Sequence, residues 1–273
     1  MHVRTVSRRA TWLMPSIACA IATFAQVNAD AQQRATTQTA RVPAAPNAPE
    51  ISGSYDRYRG AGRGAGEQRD PYAPPPAPQA PLKPQYLKEW QATQQASRAA
   101  DAKGEPVATG AVQCLPEGMP AMMNGPFPIE ILQSKGQVTI IQEAYNQVRR
   151  IVLDQPQKPF DEVEPGFYGH SVGHWEGDTL IVDTVGIKES IRYQNMPHSK
   201  DMRIKERIRP VAPDIVWDEI TIEDPATLEK PWTYTLAYKR MAGYTLLEYI
   251  CEDNREYADE KGVQKIRIGP LDR

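Results

Sequence analysis

The sequence predicts a mainly β domain, and three observations predict it. Over residues 107–273, apolar and polar residues alternate with period two in one short run after another. Turn residues punctuate the runs at Lys135-Gly136, Glu176-Gly177, Ala242-Gly243 and from Pro210 to Asp214. These connections are short, and short connections join antiparallel neighbours.

The runs give candidate strands at 127–134, 137–145, 147–153, 167–175, 178–186, 202–210, 215–223, 232–241 and 244–252. An up-and-down meander of this length buries its edges by closing. The expected architecture is a closed or partly open barrel of lipocalin-like shape; a two-sheet β-sandwich is the alternative. The longer link 187–201 is the expected flap over one end.

The chain before this domain falls into three parts. Residues 1–31 carry Arg4, Arg8 and Arg9, an apolar run from Trp12 to Phe24, and the small-x-small site Ala29-Asp30-Ala31. That is the pattern of a secretory signal peptide rather than a membrane anchor. Residues 32–82 are rich in Pro, Ala and Gly and poor in large aliphatics. Such a segment cannot bury enough apolar surface to offset its chain entropy, so it reads as a disordered tether. Residues 83–106 read as a helix and linker, with Pro84 in the first turn and Lys103-Gly104 as the stop. Tyr86, Leu87 and Trp90 share a face, so the N-terminal end of the helix should dock on the domain.

The chain has 32 basic and 34 acidic residues. Removal of 1–31 leaves 29 and 33, a formal charge of −4. Nucleic-acid binding needs a basic patch or stripe, and none is seen. Cleavage also leaves two cysteines, Cys114 and Cys251. An even count in an exported chain favours a disulfide. Cys114 precedes the first candidate strand and Cys251 ends the last, as a closed barrel would have it. The implied location is periplasmic or secreted, with no membrane span.

The most unusual stretch is GHSVGHWEGDTLIVDTVG, residues 169–186. With Glu176-Gly177 as a two-residue loop, Trp175 faces Asp178, His174 faces Thr179, and His170 faces Asp183. Opposed residues have Cβ atoms about 5 Å apart, within reach of a His–Asp hydrogen bond. A three-residue loop would put His170 opposite Thr184 and remove the pair. On a strand, His170 and His174 are separated by about 13 Å, so they cannot share a zinc. No metal site is expected.

Three glutamates interrupt apolar faces. Glu206 lies between Ile204 and Ile208, Glu248 between Leu246 and Ile250, and Glu143 between Ile141 and Tyr145. An inward carboxylate is costly unless it is paired or neutral. Arg149 or Arg150 is the expected partner of one of them. His198, in the flap, could act over a cavity mouth, although a surface role is the commoner one for such a residue.

SVGHWEGDTLIVDTVG, followed by HSKDMRIKERIR, TIEDPATLEKPW and EYICEDN, resembles a family of exported bacterial proteins of uncharacterised activity. The resemblance covers roughly residues 110–255. It implies export and a β-rich domain, and it carries no activity. In the family's block Arg or another residue stands where this chain has His174.

These readings lead to an exported barrel that handles a small, partly apolar organic molecule. One version is a cofactor-independent lyase, isomerase or hydratase. There His170 moves the proton, Asp183 fixes its tautomer, and Glu206 is the second acid or base. Glu143, Arg149, His174, Trp175 and Glu248 would contribute to binding. The alternatives are a non-catalytic carrier and a cell-envelope interaction module. No phosphate loop, nucleotide fingerprint, serine elbow or Cys-x-x-Cys occurs, so no cofactor is expected.

Overall fold

The structure is a computed structural model that describes residues 48–60, 70–104, 114–251, 256–258 and 264–266. The expected signal peptide, and residues 32–47 and 61–69 of the expected tether, lie outside the described residues.

Nine strands close into a barrel in chain order. They are β1 (Gly53–Arg57), β2 (Ile129–Ser134), β3 (Gln137–Gln142), β4 (Gln147–Leu153), β5 (His170–Glu176), β6 (Thr179–Val185), β7 (Arg203–Ala212), β8 (Ile215–Glu223) and β9 (Trp232–Arg240). Outside the barrel, β10 (Glu256–Ala258) pairs with β11 (Gln264–Ile266). Among the described residues, two α-helices accompany the strands, α1 (Pro84–Lys103) and the single turn α2 (Ala121–Asn124).

Alternation sets the inside of the barrel. On β7, Ile204, Glu206 and Ile208 are buried while Lys205 and Arg207 are exposed. On β3, Val138 and Ile140 point in, and on β6, Leu180, Val182 and Thr184 do the same. α1 docks as its sequence implies. Tyr86, Leu87 and Trp90 pack against the core, and the helix stops at Gly104, whose φ of 67° suits glycine.

Three features differ from the meander expected. First, β4 and β5 are parallel. The link from Asp154 to Gly169 is long enough to carry the chain back to the end where β4 began.

Second, the closing strand comes from the supposed tether. β1 pairs antiparallel with both β2 and β9, and Tyr55 is fully buried in the core. The Tyr55 hydroxyl donates to the Ile51 carbonyl at 2.8 Å and accepts from Arg240 Nη2 at 2.5 Å. Residues 53–57 are therefore part of the folded domain and not of a disordered spacer.

Third, residues 244–250 form no strand. Leu247 and Ile250 are exposed, while Tyr244, Leu246 and Tyr249 are only half buried. Side-chain hydrogen bonds hold it across the rim instead. Ser54 Oγ donates to the Tyr244 carbonyl, and Glu143 accepts from Tyr244 Oη and the Leu247 N–H.

The disulfide joins Cys114 to Cys251, with Cα atoms 5.6 Å apart. It links the chain ahead of α2 to the end of the rim segment. Among the described residues, no helix is long and apolar enough to cross a membrane.

Candidate functional site

The β5–β6 hairpin has a two-residue loop, but the loop is Gly177-Asp178. Gly177 has φ +61° at the first loop position, where a type II′ turn places glycine. Moving the loop by one residue moves the register by two. His170 therefore faces Val185, and Asp183 faces Val172. The expected His170–Asp183 pair does not form. Arg203 holds Asp183 through both its Nε, at 2.6 Å, and its Nη2. His170 Nδ1 lies 2.8 Å from Gln157 Oε1. Burial, and then the charge of Lys158, hold the His170 pKa below its ordinary value. His174 is half exposed and approaches only Glu176, at 3.2 Å, so it belongs to the outer surface. Trp175 points inward and packs on the core opposite Leu180.

Glu206 is inward, as its alternation implies, and fully buried. Its partner is Arg149. Nη1 donates to Oε1 at 2.7 Å and Nη2 to Oε2, giving a bidentate pair. Arg149 also donates to Ser171 Oγ at 3.3 Å and Thr184 Oγ1 at 3.0 Å, and those two hydroxyls are 2.8 Å apart. Burial alone would lower the Arg149 pKa, and the adjoining Glu206 carboxylate more than offsets this. These groups span β4 to β7 and satisfy one another. An acid or base held this way is not free to meet a substrate.

Glu143 and Glu248 are not part of this cluster. Glu143 is half buried at the rim, where it clips Tyr244 and Leu247, and Glu248 is exposed. Asp218 takes the inward place instead. It is fully buried, and neither carboxylate oxygen has a hydrogen-bond partner. Burial and then the charge of Glu206 raise its pKa well above the ordinary 3.8, against the opposing pull of Arg149 and Arg57. Arg57 donates through Nη2 to Asn124 Oδ1 at 3.2 Å and lies 5.3 Å from the centre of the Tyr238 ring.

The open space lies under the flap. Ile187, Ile191, Tyr193 and Met196 turn their side chains into the protein. Asp224, in the β8–β9 loop, pins the end of the flap: it accepts from the Ser199 N–H at 2.7 Å and from Ser199 Oγ at 2.8 Å. Burial raises the Asp224 pKa, but the Ser199 N–H leads a set of donors that brings it below the ordinary value. From the other side, Trp90 and Gln94 of α1 both donate to the Gln194 carbonyl, at 2.9 and 3.0 Å.

Between these supports is an outer cavity of about 400 Å³, walled by residues 77–80, Leu82, Trp90, Tyr193, Met196 and Trp232. An inner nook of about 30 Å³ shares Ala80, Leu82, Tyr193, Met196 and Trp232 with it. The nook adds Met119, Met202 and His198 to the lining. Tyr193, Trp232 and Tyr234 form an aromatic cluster with ring centres 4.7 to 6.0 Å apart.

Alternation in VWDEITI could have revealed Asp218, since Val216, Asp218 and Ile220 share the inward face as Ile204, Glu206 and Ile208 do. The cavity wall had no such signal. Residues 77–82, 193–198 and 232 come from three separate parts of the chain, two of them irregular. Among the described residues, no three His, Cys, Asp or Glu side chains gather as a metal cluster would require. Neither a protein-family model nor a curated protein matches the chain.

Proposed function

We propose that this protein is an exported barrel that binds a small, largely apolar organic molecule at its flap end. The outer cavity carries this reading. Its volume of about 400 Å³ falls within the range of small-molecule sites, and its wall is mostly aromatic and aliphatic, with Gln79 and Gln194 as its polar members. Barrel mouths are common places for such sites. The Cys114–Cys251 bond and the signal-like N-terminus support a periplasmic or secreted location.

Binding is favoured over acid–base catalysis by His170, Asp183 and Glu206. Arg203 occupies Asp183 and Arg149 occupies Glu206, so the three do not converge on one substrate position. The test is titration with N-phenyl-1-naphthylamine, an apolar fluorescent probe. One site is expected, and Ala80→Phe, which fills the space shared by cavity and nook, should weaken binding about tenfold or more. Circular dichroism should show the variant folded. No saturable binding, or binding indifferent to Ala80→Phe, would remove the reading.

A further inference from the structure

We propose that His198 is the polar contact of the nook, and that the ligand is a flat aromatic molecule bearing a hydroxyl group. The proposal rests on the cavity reading above and names the ligand class.

His198 Nδ1 lies 2.9 Å from the Ser199 carbonyl oxygen. A carbonyl only accepts, so Nδ1 carries the proton. In the neutral ring, Nε2 then holds a lone pair. Nε2 is enclosed and has no partner. Among the described residues that line the nook, it is the only enclosed side-chain nitrogen or oxygen without one. Asp224, the carboxylate in the lining, is already taken up by Ser199 and the Ala226 N–H. An enclosed acceptor without a donor is costly, and a ligand O–H would satisfy it.

Size and shape say which part of the ligand goes where. The nook holds about 30 Å³, room for a small group such as a hydroxyl and too little for a ring. The cavity outside it has room for a ring system. Trp232 and Tyr193 put aromatic rings in the wall of both spaces, and Met119, Met196 and Met202 add adaptable sulfur-bearing side chains to the nook. The hydroxyl therefore points inward to His198, and the ring lies between the flap and the segment before α1.

The experiment compares 2-naphthol with 2-methoxynaphthalene by equilibrium dialysis against the full chain. The ether has the same ring but no donor, so it should bind roughly ten- to a hundredfold more weakly. His198→Leu should remove this preference and leave both ligands near the affinity of the ether. Nitrogen-15 spectra of the histidines give a second readout that needs no variant. 2-Naphthol should shift the unprotonated Nε2 signal of His198, and the ether should not. Equal binding of the two ligands would overturn the role of His198 and leave the apolar cavity standing. A preference that survives His198→Leu would do the same. Failure of both ligands, together with failure of the naphthylamine probe, would remove the cavity reading itself.

Discussion

Asp218 and the Arg149–Glu206 pair sit in one buried polar layer, and their chemistry gives opposite expectations. Asp218 has no hydrogen-bond partner, and its pKa is raised in the folded protein. The folded state therefore holds this proton more tightly than the unfolded chain does. The contribution of Asp218 is most favourable below the unfolded value of 3.8 and is lost as pH rises from there through the folded value. Asp218→Asn, close in shape and never charged, should raise the denaturation midpoint at pH 7 and change it little near pH 4. Urea melts at both pH values measure this; equal effects at both would mean that the carboxyl is not the cause. Arg149 and Glu206 form a bidentate pair that the Ser171 and Thr184 hydroxyls complete, and removal of one charge strands the other. Arg149→Met should cost about 3–5 kcal/mol, whereas Arg149→Met with Glu206→Leu should recover most of it. A double-mutant cycle on denaturant midpoints reads the difference. The sequence disclosed Glu206, because a charge in an alternating apolar run is visible locally. It narrowed the partner only to Arg149 or Arg150, because that contact joins strands 57 positions apart.

The β5–β6 hairpin shows why some of the site was hidden at the scale of an element. A loop at Glu176-Gly177 and a loop at Gly177-Asp178 give registers that differ by two residues. Side chains alternate with period two, so both loops put Ser171, Gly173 and Trp175 inside and His170 and His174 outside. The face of every residue was thus legible, but the partner of His170 was not. Lys135-Gly136 in the β2–β3 loop places glycine second, whereas the β5–β6 loop places it first. The loop residue itself supplies a test. A Cβ at Gly177 would meet nothing within 4 Å, so only its φ of +61° resists substitution. Gly177→Val should cost about 1–2 kcal/mol, and Gly177→Asn distinctly less, because Asn tolerates the left-handed region. Equal midpoints for the two variants in guanidinium melts would mean that this turn does not set the register.

Closure of the whole barrel depends on five residues that look least like a strand. GSYDR lies more than 70 positions before β2, inside a stretch of Pro, Ala and Gly. A local reading gives it no weight, since its stability comes from two neighbours that are distant in sequence. Those neighbours are β2 and β9, which without it would face solvent as bare edges. The Cys114–Cys251 pairing was legible, but the closure inferred from it was not: the segment expected as the last strand beside Cys251 is a rim segment, and β1 does the closing. Truncation separates these contributions. Removal of residues 1–47 leaves every described barrel contact in place and should leave the melting temperature unchanged. Removal of residues 1–60 takes away Tyr55, which is fully buried and bonded to Ile51 and Arg240. Loss of a buried aromatic alone costs about 3–5 kcal/mol, and the exposed edges add a route to aggregation. With Cys114–Cys251 intact, the shorter chain should melt well below the longer one and pass through soluble oligomers on gel filtration. If both truncations melt together as monomers, β2 and β9 pair without β1, and the barrel is closed by its other strands alone.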